Sequence, residues 1–163
     1  MRGIAVVALL LGLIVGSARA ATPAVEPCQD LKLAQARAVL GSTASLAQKQ
    51  VRRERVCSVK YGGSVGVTVR SEPAGDFDWV VAGLKAEPAY VKQLKTVSLG
   101  DKGYSYDRYA LVNGKPTFTL RVLFFRAGAR MYAVEVGARR LLTPAKHLTL
   151  ARHVVRNARA GGR

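Results

Sequence analysis

The chain has 163 residues, 49% of them hydrophobic, with 26 Lys and Arg against 10 Asp and Glu and a formal net charge of +16 at pH 7. This length suits one domain around a single core and argues against a second domain. The excess of cations predicts attraction to anionic surfaces, among them phospholipid headgroups, lipopolysaccharide, acidic cell-wall polymers and nucleic acid, without choosing among them.

Residues 1–20 have the pattern of a secretory signal. Arg2 is followed by an apolar stretch over residues 4–15, and Ala18-Arg19-Ala20 is a small-x-small cleavage site. The alternative is an uncleaved anchor, but the apolar run is short for a membrane span, which needs about 20 residues. We therefore predict cleavage after Ala20 and export to the periplasm or outside the cell. Cleavage would leave 24 cations, 10 acids and a formal charge of +14.

The two cysteines, Cys28 and Cys57, would both reach an oxidising compartment. A disulfide between them is the simplest interpretation, since neither lies in a Cys-x-x-Cys motif or has a metal partner at short spacing. Cys28 also lacks the small apolar triplet that precedes a lipid-attachment cysteine, so a free protein is favoured over a lipid-anchored one.

The N-terminal part of the exported chain is predicted to be a disordered lead over residues 21–27. The single domain then occupies residues 28–159. Apolar side chains at three- and four-residue spacing predict a helix over residues 29–40, with Gly41 as its C-terminal cap. The polar stretch 42–50 is expected to be a loop.

Alternating side chains predict a hairpin over residues 51–70, turning at Gly62-Gly63. The inward-facing residues are predicted to be Cys57, Val59, Tyr61, Val65, Val67 and Val69. Helical spacing then returns in residues 73–84 and predicts a second helix, which a further turn at Tyr90, Val91 and Leu94 could extend.

Residues 96–137 form the clearest β region, with strands at 104–112, 118–124 and 131–136. Asn113-Gly114 is a strong hairpin signal, and tight turns between consecutive strands predict an antiparallel sheet. In the middle strand we expect one buried face, made by Phe118, Leu120, Val122 and Phe124. In the last, Tyr132, Val134 and Val136 should face the core.

A terminal helix is predicted to begin at Thr143-Pro144, an N-cap followed by proline, and to fray over residues 160–163. Its buried stripe should be Leu148, Ala151, Val154, Val155 and Ala158. Its solvent side should carry Lys146, Arg152, Arg156 and Arg159.

No constellation of residues predicts catalysis, a metal site or a cofactor. His147 and His153 lie about 240° apart around the last helix and cannot share a metal, so exposed or packing histidines are expected. Asp76 and Asp78 fit an acidic first helical turn, and Asp107 fits an exposed strand position. Gly62–Gly66 precedes a strand rather than a helix, unlike a phosphate-binding loop.

The basic residues form the main candidate binding surface. Clusters near the ends of the predicted elements would attract polyanions if they converge. The candidate residues are Arg52, Arg53, Arg139, Arg140, Arg152 and Arg156. The alternative is that the charge reflects an arginine-rich composition. Tyr104, Tyr106 and Tyr109 could add base stacking, although packing is the commoner role of aromatic residues in strands, and no nucleic-acid motif is present.

Several segments taken together resemble small exported bacterial two-cysteine domains of unknown function, including actinobacterial secreted lipoproteins. The first segment is residues 26–31, which open a helix ending at Val39-Leu40-Gly41, and the second is Cys57 inside a strand. The others are residues 99–104, and residues 125–128 in a hairpin before a terminal helix. The resemblance implies an α+β fold with a curved antiparallel sheet, N- and C-terminal helices packed on one face, and a Cys28–Cys57 disulfide. It implies no enzyme activity, and it does not extend to the lipid anchor.

The sequence therefore predicts a non-enzymatic extracytoplasmic binding or interaction module of the bacterial envelope. Its partner would be an envelope component. The alternative is a basic protein that binds polyanions such as anionic lipid, lipopolysaccharide or nucleic acid. A hydrolase, or an inhibitor of one, is the third and least supported hypothesis.

Overall fold

The computed structural model describes residues 27–51 and 54–161. Within these residues, seven strands form one antiparallel sheet in the order β1-β2-β3-β7-β6-β5-β4. The strands are β1 Ser45–Val51, β2 Glu54–Tyr61, β3 Ser64–Pro73, β4 Val91–Val97, β5 Lys102–Val112, β6 Lys115–Ala127 and β7 Arg130–Gly137. The helices are α1 Leu33–Leu40, α2 Phe77–Ala86 and α3 Pro144–Gly161, with 3-10 turns at Pro27–Gln29, Ala74–Asp76 and Ala138–Arg140.

The predicted α+β class is confirmed, with a curved antiparallel sheet. Side chains from α1 and α3, such as Ala36 and Val154, pack with Val134 on one face, called here the α1/α3 face. Phe77 and Val81 of α2 pack against the opposite face, the α2 face. The terminal helices thus share one face as expected, and the middle helix covers part of the other.

The Cys28–Cys57 disulfide is present and joins the first 3-10 turn to β2. Two further contacts fix this end of the chain: Tyr132 donates a hydrogen bond to buried Asp30 at 3.0 Å, and Asn157 of α3 donates one to the Asp30 carbonyl oxygen at 3.0 Å. The N-terminal turn is therefore bound to β2, β7 and α3 together.

Strand β6 differs from the prediction because both of its faces are buried. Val122 and Phe124 pack under α2, while Leu123 and Phe125 pack on the α1/α3 face. The strand lies inside the sheet and helices cover both sides of it, so alternation of polar and apolar residues fails over this segment.

The prediction that Val65 faces inward is wrong, because a β-bulge interrupts the pairing of β2 with β3. Val59 pairs with Val67 and Lys60 pairs with Val65, which leaves Gly66 as an extra residue. The extra residue reverses the direction of the side chains before it, and Val65 is exposed while Val67 and Val69 are in the core. A Cβ at position 66 would collide with the outer end of the Tyr61 ring, so any other residue there would displace that ring.

Two segments have a different secondary structure from the one predicted. Most of the expected loop over residues 42–50 belongs to the edge strand β1, which runs on to Val51 and pairs with β2 over all seven of its residues. Tyr90, Val91 and Leu94 do not extend α2, because Val91 begins β4. Tyr90 lies just before that strand.

Helix α3 begins as predicted. The backbone N–H of Lys146 is 3.4 Å from Oγ1 of Thr143, and Pro144 occupies the first helical position. The buried stripe includes His147 and Leu150 in addition to the predicted Ala151, Val154 and Val155, while Leu148 and Ala158 are half-buried. The helix continues to Gly161. The predicted signal segment, Arg52, Arg53 and the last two residues lie outside the described residues.

Candidate functional site

A cavity of about 390 Å³ opens on the α1/α3 face, between strands β4 to β6 and the first turns of α3. Binding sites for small molecules are commonly clefts of roughly 300–1,000 Å³ with mostly apolar walls and a few polar groups. The lining residues are Gln93, Lys95, Val97, Ser105, Tyr106, Asp107, Arg121, Leu123, Pro144, His147 and Leu148.

A bulge in β4 brings Lys95 to the cavity. Lys92 pairs with Asp107 and Lys95 pairs with Ser105, so Gln93 and Leu94 together lie opposite a single residue of β5. Gln93 adopts φ 55°, a left-handed conformation that is uncommon outside glycine. Because of the extra residue, Lys92 and Lys95 fall on the same face of the sheet despite their odd spacing.

Asp107 and Arg121 form an ion pair in the cavity wall. They are cross-strand partners, and Arg121 donates from Nε and Nη2 to the two carboxylate oxygens at 2.8 and 3.2 Å. Asp107 is only 5% exposed, not the exposed strand residue that the sequence predicted. The hydrogen bond to Asp107 raises the pKa of Arg121, and the two charges cancel.

His147 reaches the cavity wall from the first turns of α3 and is 2% exposed. Its Nε2 lies 2.9 Å from the Val134 carbonyl oxygen. Because a carbonyl oxygen only accepts, Nε2 carries the ring proton and donates it. Burial lowers the pKa of His147 to about 4, against a raising contribution from that hydrogen bond, and nearby Arg121 lowers it further. The ring is therefore neutral at neutral pH.

Two polar groups of the cavity wall lack partners. The hydroxyl of Ser105 is buried and makes no hydrogen bond within the described chain. An unpaired buried polar group costs about 1–3 kcal/mol, and this oxygen has almost no surface open to the cavity. Lys95 is exposed, and no carboxylate of the described residues forms an ion pair with it. With Asp107 and Arg121 cancelling and His147 neutral, Lys95 gives the wall a net charge of +1.

The predicted basic residues lie elsewhere. Arg152 and Arg156 are exposed one turn apart on α3, Arg139 is exposed in the 3-10 turn Ala138–Arg140, and Arg140 belongs to the same turn. None of these four lines the cavity. Arg52 and Arg53 are outside the described residues, so convergence of all six arginines stays a prediction.

The surface layer formed by α1 and α3 nevertheless carries charge of one sign. Neither helix contains an acidic residue. The exposed cations, called here the helix-layer cations, are Lys32, Arg37, Lys146, Arg152, Arg156 and Arg159. Arg159 pairs with Asp101 at 2.8 Å. Tyr104 and Tyr106 are buried on the α2 face and form no stacking surface.

The cavity residues were not identified from the sequence. Asp107 and Arg121 are cross-strand neighbours in the Asn113-Gly114 hairpin, and that hairpin was the available signal. An ideal two-residue turn would place Leu120 opposite Asp107. Thr119 is an extra residue in β6, because Arg108 pairs with Leu120 and Tyr109 with Phe118, and this bulge shifts the partner to Arg121.

Among the described residues, no group of three or more His, Cys, Asp or Glu side chains is placed to hold a metal ion. No helix in the same part of the chain is long and apolar enough to cross a membrane. No family model, curated protein or solved structure matches the chain.

Proposed function

We propose that the chain is a non-enzymatic binding module of the bacterial envelope, exported to the periplasm or beyond, which holds a ligand in the cavity between β4–β6 and α3. The observation that carries the proposal is this cavity of about 390 Å³, with the exposed cation of Lys95 in its wall and no ion pair to Lys95 among the described residues. The Cys28–Cys57 disulfide supports export, because such bonds persist in oxidising compartments. The resemblance to exported two-cysteine domains points to the same location.

The polar groups of the cavity favour binding over catalysis. Both carboxylate oxygens of Asp107 accept from Arg121, which leaves that carboxylate poorly available as a general base. The Nε2 proton of His147 is donated to a backbone carbonyl, and the low pKa of the ring opposes uptake of a second proton near neutrality. These groups are suited to orienting a ligand.

Blocking the cavity tests the proposal. Leu148 lines the cavity and is half-buried, so Leu148→Trp should fill part of it. Leu141→Trp is the matched control, because Leu141 is 49% exposed and does not line the cavity. The exported protein and both variants would be incubated with an envelope extract, repurified and analysed for retained small molecules by mass spectrometry.

A molecule retained by the wild-type protein and Leu141→Trp, and lost from Leu148→Trp, would support the proposal. Equal retention by all three proteins, or no retention by any of them, would contradict it. Both variants should first show a cooperative urea transition, so that loss of retention is not loss of folding.

A second candidate function is polyanion binding by the helix-layer cations, with anionic lipid, lipopolysaccharide or nucleic acid as partner. It is favoured by the absence of acidic residues from α1 and α3. Binding to DNA or to anionic vesicles should then weaken steeply with salt, because each neutralised phosphate releases counterions.

The double variant Arg152→Gln, Arg156→Gln tests this second function. For DNA it should lower the slope of log affinity against log salt by about 1.4–1.8, the expected effect of two phosphate contacts. Lys85→Gln, Lys92→Gln is the matched control, since both lysines are exposed and outside α1 and α3. Equal changes of slope in both double variants would show a general effect of net charge and contradict a localised surface.

A further inference from the structure

We propose that the ligand of this cavity is a small amphiphile with a single negatively charged head, such as a carboxylate, and an apolar body of up to roughly a dozen carbon atoms. This inference rests on the proposed function and adds the chemical class of the ligand. Charge, size and the placement of polar groups in the wall carry it.

The charge of the wall selects a monoanion. The Asp107 and Arg121 charges cancel, and the neutral His147 ring adds none. Lys95 is the remaining cation and has no ion-pair partner in the described chain. The first turn of α3, which also lines the cavity at Pro144, contributes the positive end of the helix dipole. A cationic ligand would meet like charge at the mouth.

The donors of the wall suit a carboxylate. Arg121 uses Nε and Nη2 to hold Asp107, and within the described residues its Nη1 makes no hydrogen bond. Lys95 adds an exposed ammonium group to the same wall. Ammonium and guanidinium donors therefore occur in one wall, and charge-assisted hydrogen bonds from such groups are about twice as strong as neutral ones.

The rest of the wall suits an apolar body. Val97, Leu123 and Leu148 come from three different elements, and Leu123 is almost fully buried. Lys95 is exposed, which places the charged head at the mouth and the apolar body inside.

The volume limits the length of that body. A cavity of about 150 Å³ in another protein holds one benzene molecule. By proportion, a cavity of about 390 Å³ admits about fifteen non-hydrogen atoms. Decanoate, with about a dozen, fits this limit, whereas a complete two-chain phospholipid exceeds it several-fold.

Titration with three probes of one chain length tests the class. Decanoate, 1-decanol and decyltrimethylammonium would be added to the exported protein at pH 7, below their micellar concentrations, with binding measured by calorimetry. We expect decanoate to bind at one saturable site about tenfold or more tightly than 1-decanol, since charge-assisted hydrogen bonds are about twice as strong as neutral ones. Decyltrimethylammonium should show no saturable binding.

Substitutions assign the effect to the cavity. Lys95→Gln should weaken decanoate at least fivefold and leave 1-decanol unchanged. Lys85→Gln is the matched control, because Lys85 is exposed on α2, across the sheet, and it should change decanoate binding less than twofold. Leu148→Trp should abolish binding of both probes, and Leu141→Trp should preserve it.

Equal affinity for decanoate and 1-decanol, or equal losses in Lys95→Gln and Lys85→Gln, would overturn the inference. If the molecule retained from the envelope extract is neutral or cationic and is lost from Leu148→Trp, the monoanion class is wrong and the proposed function stands. If nothing is retained from the extract and no probe binds, both are wrong.

Discussion

Lowering the pH from 7 to 4.5 should destabilise the folded protein through His147. The ring is 2% exposed and its burial lowers the pKa to about 4, while an unfolded chain would give it a value near 6.5. At a pH between these two pKa values, the unfolded chain binds a proton that the folded protein does not. The free energy of unfolding therefore falls as the pH falls through this window.

The magnitude follows from the two pKa values. A difference of one pKa unit between the folded and unfolded states corresponds to about 1.36 kcal/mol of free energy. Protonation of the unfolded chain is nearly complete at pH 4.5, while the folded protein is only partly protonated, so about 2 kcal/mol of stability should be lost between pH 7 and 4.5. The half-buried His153 acts with the same sign, because burial and then Arg156 lower its pKa.

Urea unfolding at pH 7 and pH 4.5 measures this loss. In His147→Gln the loss should shrink to a small fraction of the wild-type value, even though the variant is less stable at pH 7 because a packed ring is replaced. His153→Gln is the control and should keep most of the loss. Burial raises the pKa of Asp30, against lowering contributions from Tyr132 and Arg130, and thus acts in the opposite sense. It does so in all three proteins, so it cancels in the comparison. An unchanged loss in His147→Gln would refute the assignment.

Three further predictions concern stability and can be measured as urea midpoints. The double variant Cys28→Ser, Cys57→Ser removes a disulfide between cysteines 29 residues apart and should be about 2–5 kcal/mol less stable than the wild type, whereas an unchanged midpoint would show that the bond is dispensable. Tyr132→Phe leaves the carboxylate of buried Asp30 without its 3.0 Å donor and should cost about 1–3 kcal/mol, with Tyr109→Phe as a half-buried control. Gly100→Ala should cost about 1–3 kcal/mol, because φ is +66° and a Cβ would collide with the backbone of β6; a neutral effect would contradict that geometry.

The local signals in the sequence predicted the hairpins well. Gly62, Gly63, Asn113 and Gly114 all adopt positive φ, as two-residue hairpin turns require. Thr143 caps α3 as its residue type predicts. These features depend on residues adjacent in the chain, so tertiary packing has little opportunity to override them.

Bulges explain most of the errors. Val91 and Leu94 are three residues apart and both pack on the α2 face, which a regular strand cannot achieve. The extra residue in β4 makes it possible, and the resulting spacing imitates a helix. A bulge at Gly66 likewise turns the Val65 side chain to the opposite face from the one predicted, and a bulge at Thr119 changes the cross-strand partner of Asp107. A bulge depends on pairing with the neighbouring strand, so side-chain periodicity alone does not reveal it.

The edge strand β1 was missed for a different reason. Its one neighbour in the described sheet is β2. Over residues 45–50, Leu46 and Ala47 are half-buried and the other four residues are exposed. Backbone pairing with β2 holds the strand, and an edge strand of mainly polar residues carries little periodicity. Polar side chains at such an edge also oppose pairing with another sheet.

The position of the cavity follows from the dimensions of the layers. Seven strands spaced about 4.8 Å apart make a sheet about 29 Å wide, while two packed helices cover about 20 Å. On the α1/α3 face, α3 packs mainly over β6 and β7, so β4 and β5 extend past the edge of the helical layer. The uncovered strip can be filled by larger side chains or left open. In this chain it is lined by Ser105, Lys95 and the Asp107–Arg121 pair, which are too polar to close it as a hydrophobic core. The fold thus accounts for the opening, and under the proposed function these four side chains would determine which ligand it favours.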